Sequence, residues 1–580
     1  MPRAVRSARA LATIGATATG LLGAPAAAYF GLQLRGMLYA EMIDPYLSTA
    51  YAVNGPDLIR RFGTDEYYWT RVGFSIPAHL FDRVFGAVGG FYGFRYLLAL
   101  IAIVPVFLLL RALWGAAAGW VGVIAVLTSQ VVITGWSTDY PTAAAISYLM
   151  AGAAFLFMPT TTTRARVTYG ALAGLAFGLA VGSGLVAAVA ILGAGTGRIV
   201  AATRAEWRRS VATLAIAALA TVVSFALVAL AARAYLGNAD IVTPQLQALH
   251  RFGEAIYRNS FHSSTWRWLV DDIYVLAPLA VLGAWVIAAW PFSRARTSRV
   301  EIGFAVASAV TYALFTIYQF VLYSWSLEYW YYADMLWAFT VPLLVMTAFR
   351  IASSAGALSR LQTLAVGLAM LAVPIALRFL RDQLHFSLKA AFALTVIPAL
   401  AVLVARLVPV LTVRLASMLV VVTAPSLLIV GLPVFTLFPD QAAYVTPDFG
   451  TALFGSSDAA RDEYAVTTSL HKIVPTTAQT PGGLAMWLPA RPSHLVLSSS
   501  AQYLFLLNAL PDRLPALTSQ SVAFLEARSV HVLVLLSDTG DEFAAADDAL
   551  RTSPLVIRDV ATSVLTSGSA RLQVQVVQLS

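Results

Sequence analysis

The sequence predicts an α-helical polytopic membrane protein of about thirteen transmembrane helices, followed by a C-terminal α/β soluble domain. Three observations predict it. The 580 residues are 59% hydrophobic and 12% charged, where a soluble domain carries about 25% charged residues. Apolar runs of about twenty residues recur along the first three quarters of the chain, the length that crosses about 30 Å of hydrocarbon. After residue 438 those runs stop, and Pro, Ser and charged residues return to an ordinary mixture. The expected division is a transmembrane domain over 1–438 and an extracytoplasmic α/β domain over 439–580.

The formal net charge of +9 is carried mostly by arginine. In a soluble chain that balance would point to nucleic acid. Here the arginines fall in short connections between apolar runs, so the positive-inside rule explains them and no nucleic-acid partner is expected. The chain has no cysteine, which excludes disulfides, thiolate metal sites and cysteine nucleophiles.

The first thirty residues, MPRAVRSARALATIGATATGLLGAPAAAYF, combine a basic start, an apolar stretch and small residues at Ala26–Ala28. A cleaved signal peptide has this form, but the apolar run continues through YFGLQL and fits a retained first span over 10–34. Further spans are expected at 95–113, 115–135, 141–158, 168–181, 184–197, 211–234, 272–291, 302–323, 334–350, 361–380, 390–406 and 412–437. The basic residues then gather on one side: Arg3, Arg6 and Arg9; Arg111; Arg164 and Arg166; Arg198, Arg204, Arg208 and Arg209; Arg294, Arg296 and Arg299; Arg350 and Arg360; Arg406 and Arg414. That side is the cytoplasmic one, and an odd number of spans leaves the C-terminal domain outside.

Residues 168–197 are too short for two full crossings and read as two short helices broken at Gly182-Ser183-Gly184. Such breaks occur in membranes where neighbouring helices satisfy the freed backbone groups. One long span is the alternative, and it would put the basic segment RIVAATRAEWRRS outside, against its charge.

Three outer loops are substantial. The first, 35–94, holds PDLIRRFG and PAHLFDRVFG, the apolar and basic mixture of helices lying along a membrane surface. The second covers 235–271. The third, SWSLEYWYYAD at 324–334, has the aromatic content of a headgroup-level segment. In the C-terminal domain HLVLSS, HVLVLL and RLQVQVVQL read as strands by their β-branched content and partial alternation. SVAFLEAR and DEFAAADDALRTS read as helices.

The groups suited to chemistry lie in the outer loops. Glu41 and Asp44, in YAEMIDPYLST, follow the first span closely. Asp139, in GWSTDYPTAA, stands between the third and fourth spans, before Pro141 at a helix start. A carboxylate at that level can take a proton from an acceptor hydroxyl. It can equally be a loop acid, or for Asp139 a helix-start carboxylate stabilised by the dipole. Arg71, in YYWTRVGFSIP, suits an anionic phosphate, because the guanidinium fork matches phosphate oxygens. Arg60 and Arg61 fit a solvated helix face. His79, His262 and Glu328 are further candidates for contacts with acceptor or donor. No HxxxH or HExxH spacing marks a preformed zinc site, and a divalent metal shared by carboxylates and a donor phosphate stays open. No Walker loop, dinucleotide glycine pattern or G-x-S-x-G elbow is present.

Taken together, EMIDPYLSTAY, STDYP, TRVGFSIP and the broken pair YGALAGLAFGLAVGSG resemble the GT-C membrane glycosyltransferases, particularly bacterial relatives of protein O-mannosyltransferases and aminoarabinose transferases. The likeness covers about residues 10–350. It implies a GT-C-like fold, a polyprenyl-phosphate sugar donor, and a glycan, lipid or protein acceptor on the outer face of a bacterial cytoplasmic membrane. It also implies roles: Asp44 as catalytic base, Asp139 as the second acid, and Arg71 near the donor phosphate. Many relatives carry a Lys or Arg inside the broken helix pair, where this chain has Gly182-Ser183-Gly184, and the aromatic loop lacks the His found in some. The alternatives are a lipid-linked sugar flippase or transporter and a non-catalytic cell-envelope assembly protein. Transporters place ionisable groups near the bilayer midplane and are often built from two related halves, whereas here the acids concentrate in outer loops.

Overall fold

The computed structural model describes residues 14–26, 68–128, 141–252, 298–321, 334–354 and 530–579, apart from isolated positions. Short stretches within 48–59, 278–286 and 466–474, residues 484–487 and 509–512, and residue 525 complete the description. The protein is mostly helical. Helix α1 runs Val72–Trp114, α2 Ala116–Thr128, α3 Pro141–Leu156, α4 Thr163–Ser183, α5 Ala187–Val200 and α6 Trp207–Leu236. Then come α7 at Thr243–Phe252, α8 at Arg299–Val321 and α9 at Trp337–Ser354. Among the described residues four helical segments are long and apolar enough to cross a membrane: Gly89–Trp114, Thr163–Ser183, Trp207–Leu236 and Arg299–Tyr318. Four shorter apolar helices accompany them.

Most expected spans coincide with described helices, while 361–380, 390–406 and 412–437 lie outside the described residues. Two expectations are corrected. The second span is the later part of a 43-residue helix that already begins at Val72. Its course changes at Gly86, whose φ of 73° breaks the helical run and which only glycine adopts cheaply. The earlier part is the PAHLFDRVFG segment; Leu80, Val84 and Phe85 are exposed on it, as on a helix lying in a membrane interface. The second correction concerns residues 168–197. The first helix of the pair, α4, starts at Thr163 and has 21 residues, enough to cross. The turn falls at 184–186, before the 14-residue α5.

Close helix packing comes from small residues. Gly170, Gly174, Gly178 and Gly182 recur every fourth position, so they line one face of α4. Each faces α6: Gly170 meets Thr213 and Ile216, Gly174 meets Ala217 and Ala220, Gly178 meets Ser224, and Gly182 meets Val228. Such stripes let helix backbones approach in lipid, where burial of apolar surface gives no drive to associate. Ser224 Oγ donates to Leu175 O at 3.0 Å across this contact. Rising numbers on both helices make α4 and α6 parallel. On α5, Gly193 and Gly197 pack against Thr311, Ala307 and Gly303 of α8, with falling numbers, so these two are antiparallel.

That arrangement sorts the helix ends. The starts of α4 and α6 share one end with the end of α5 and the start of α8. Arg166 and Glu206 lie within electrostatic reach of Arg198, and Arg299 within reach of Glu206. Arginines that the sequence assigns to one side therefore do gather. Arg350 lies at this same end, but within a helix and not in a connection. It is an inward-facing residue of α9, fully buried, with Nε and Nη2 both 2.6 Å from Oε2 of the equally buried Glu301 on α8.

The C-terminal part contains a five-stranded sheet in the order β2-β1-β3-β5-β4. The strands are β1 Leu484–Trp487, β2 Ala509–Asp512, β3 Val532–Ser537, β4 Ile557–Ser567 and β5 Ala570–Leu579. β1 pairs in parallel with β2 and β3, and β3–β5–β4 are antiparallel. Of the strands read from the sequence, HVLVLL and RLQVQVVQL are β3 and β5, while HLVLSS lies outside the described residues. Helix α10, Glu542–Thr552, is the DEFAAADDALRTS segment. β3 is buried on both faces: Leu533 and Leu535 pack with Phe543 and Leu550 of α10. Val532, Val534 and Leu536 belong to one apolar cluster with Val466, Leu470 and Val474 and with Tyr51, Leu58 and Trp69 of the first loop.

Candidate functional site

The end of the bundle opposite the gathered arginines is where the first loop, the α4–α5 turn and the end of α6 meet. Tyr68–Thr70 form one 3₁₀ turn before α1. Trp69, Thr70, Arg71 and Val72 are all buried, which is unusual for a segment entering a helix from a loop. Arg71 occupies the N-cap position of α1 without a side-chain cap, and its carbonyl accepts from Phe74 N and Ser75 N. The residue is 8% exposed.

Gly73 lies directly against the last turn of α4. A methyl group there would collide with Leu179 O and sit 2.7 Å from both Gly182 C and Ser183 N. The carbonyl of Gly73 accepts from Tyr148 Oη of α3 at 3.3 Å. The same approach brings Arg71 to the turn: Nη1 stands 3.7 Å from the position a side-chain carbon would take at Gly184. Thus the turn, which has no cation of its own, is met by one from the first loop.

The turn keeps its backbone bonded. Gly184 N donates to Ala180 O and Val181 O, and Ala187 N, Ala188 N and Val189 N each bond back three residues. Ser183 Oγ donates to Leu179 O. Leu185 N donates to Gln245 Oε1 at 3.0 Å, and Gln245 Nε2 donates to Ile241 O and Thr70 O. Asp240 precedes α7 and accepts from Thr243 N at 3.0 Å and Val242 N at 3.3 Å. Those bonds, Thr243's first, hold its carboxyl below the usual range.

A second fastening holds the chain that follows the first span. Ala52 O accepts from Tyr235 Oη at 3.0 Å and pairs with His79 Nδ1 at 2.9 Å. Gly55 N donates to Tyr235 Oη, and the imidazole and phenol rings lie 4.1 Å apart. The Ala52 bond requires Nδ1–H. Burial lowers the His79 pKa, against the bond to Ala52, which raises it, with Arg83 lowering it further. The unfolded chain therefore binds the proton more readily. The stability from the neutral ring is present above the ordinary value of 6.5 and is lost as pH falls from there towards the folded value. The detergent-solubilised protein is expected to melt progressively lower as pH drops below about 6.5, with a shallower dependence for His79→Gln. Parallel melting profiles for the two proteins would contradict this account.

Of the site residues read from the sequence, Arg71 and His79 are described: Arg71 stands against the α4–α5 turn, and His79 against Ala52 and Tyr235. Asp44, Asp139, Glu41, His262 and Glu328 lie outside the described residues. Their nearest described neighbours in sequence include Ser48, four residues after Asp44, and Pro141, two after Asp139; both are buried. Among the described residues no group of three His, Asp or Glu side chains is placed to hold a metal ion. Gln245, Tyr235 and Gly73 were not read as site residues. Only the glycine stripe from Gly170 to Gly182 gave a signal, since its period points to a close neighbour.

No family model matches the chain, and no curated protein matches it. Among solved structures it is similar to the crystal structure of ArnT from Cupriavidus metallidurans bound to undecaprenyl phosphate, at 15% identity and TM-score 0.49, over 97% of this chain and 98% of that one. It is also similar to the archaeal oligosaccharyltransferase AglB from Archaeoglobus fulgidus, in complex with an inhibitory peptide and a dolichol-phosphate. There the identity is 12% and the TM-score 0.33, over 92% of this chain and 71% of that one. With TM-scores below one half, the functional reading has to come from this chain's own residues.

Proposed function

We propose that the protein is a membrane glycosyltransferase. It moves a sugar from a polyprenyl-phosphate donor to a glycan, lipid or protein acceptor at the outer face of a bacterial cytoplasmic membrane. Asp44 takes the proton from the acceptor hydroxyl; the acceptor oxygen attacks the anomeric carbon from the face opposite the phosphate. The bond to the phosphate oxygen breaks, the configuration inverts, and polyprenyl phosphate leaves with its negative charge. Arg71 neutralises that charge, and Asp139 is the second acid of the site. The domain over 439–580 stands on the same, extracytoplasmic side.

The observation that carries this reading is the buried Arg71 held against the α4–α5 turn, at the end of the bundle away from the gathered arginines. Burying a guanidinium carries a desolvation cost, and its fork suits a phosphate.

The test is sugar transfer in proteoliposomes with a panel of polyprenyl-phosphate sugars. Asp44→Asn is expected to lower transfer about 10²- to 10⁴-fold, the range for loss of a general base. Full transfer by that variant would remove Asp44 from the role. Movement of a labelled lipid with no new glycosidic bond would replace the enzyme by a flippase.

A further inference from the structure

We propose that Gln245 is the positioning residue of the phosphate site, clamping the α4–α5 turn to the peptide that precedes Arg71. This rests on the reading of Arg71 given above. Gln245 is 6% exposed and uses both ends of its amide on backbone groups of three separate segments. Its oxygen accepts from Leu185 N at 3.0 Å. Its nitrogen donates to Ile241 O at 3.1 Å, within its own approach to α7, and to Thr70 O at 3.4 Å. Leu185 belongs to the turn and Thr70 is bonded directly to Arg71. One side chain therefore ties the peptide before the guanidinium to the turn it faces.

The arrangement needs a neutral amide. Leu185 N must be accepted and Thr70 O must be donated to, and a primary amide offers both without carrying charge. A carboxylate would keep the first bond, lose the second and set a negative charge beside the phosphate. An aliphatic side chain would leave a buried N–H and a buried C=O without that partner. Gln245 thus ties the segment leading into α7 to both sides of the phosphate site.

The experiment measures binding of a short-chain polyprenyl phosphate to the full-length protein in detergent, for wild type, Arg71→Ala, Gln245→Leu and the double variant, each checked by gel filtration. Gln245→Leu is expected to weaken binding about tenfold, roughly 1.4 kcal/mol. The double variant is expected to bind no more weakly than Arg71→Ala alone, because Gln245 acts through Arg71. If Gln245→Leu fails to give a single folded peak, the neutral Gln245→Met, of similar length, is used with the same partner, and the same non-additivity is expected. Additive losses, or unchanged binding by the Gln245 variant while Arg71→Ala is weakened, would overturn the role of Gln245 and leave the phosphate site standing. Absence of binding by wild type would remove both.

Discussion

Arg350→Ala is expected to cost about 3–5 kcal/mol of stability, the penalty for leaving one partner of a buried ion pair unmatched. Arg350 and Glu301 have no solvent-exposed side-chain surface. Their two contacts of 2.6 Å go to a single carboxylate oxygen and join the end of α9 to the start of α8. Removing the guanidinium leaves a carboxylate within a helix bundle, where neither water nor lipid can solvate it. Glu301→Ala is expected to cost a similar amount for the reciprocal reason. Replacing both by Met is expected to recover most of the loss, because apolar packing often equals or exceeds a buried pair. Denaturation in mixed micelles measures all three. Single variants within about 1 kcal/mol of wild type, the range of exposed pairs, would show that the pair is solvated in the membrane-embedded protein.

Gly73→Ala is expected to reduce sugar transfer about 100-fold, the effect of misplacing a reacting constellation by about 1 Å. The added methyl group meets Leu179 O, Gly182 C and Ser183 N. These are backbone atoms, which cannot swing aside as a flexible side chain can. The start of α1 must therefore move from the turn, and Arg71 and Thr70 move with it. Gly184→Ala is the matched control. A side-chain carbon there meets nothing nearer than Arg71 Nη1 at 3.7 Å, an ordinary contact. Equal activities for Gly73→Ala and wild type would mean that the close approach of α1 to α4 does not set the site.

Much of this protein is written in local chemistry. Apolar runs locate the helices because every backbone polar group in hydrocarbon has to be bonded within its own segment, so a run such as Val211 to Arg233 has one outcome. Arginine placement orders the ends for a similarly local reason. Ends of elements were less legible: α4 begins at Thr163, ahead of its apolar stretch, where Thr162 Oγ1 caps Ala165 N. The edge strand β4 was missed because most of its residues are exposed, so no alternation of buried positions marks it. Arg350 was read with the loop arginines because its partner is Glu301, 49 positions away.

The candidate site divides in the same way. That Arg71 is a cation in the long segment after the first apolar run, and that the chain breaks near Gly182, follow from the residues themselves. That the two meet does not. It depends on the parallel packing of α4 on α6, on Gly73 lacking a side chain, and on Gln245 reaching Thr70 across 175 positions. Hydropathy and charge act over a few residues and leave a trace in composition. Contacts between distant segments depend on which surfaces fit one another, and no short stretch of the chain carries that information.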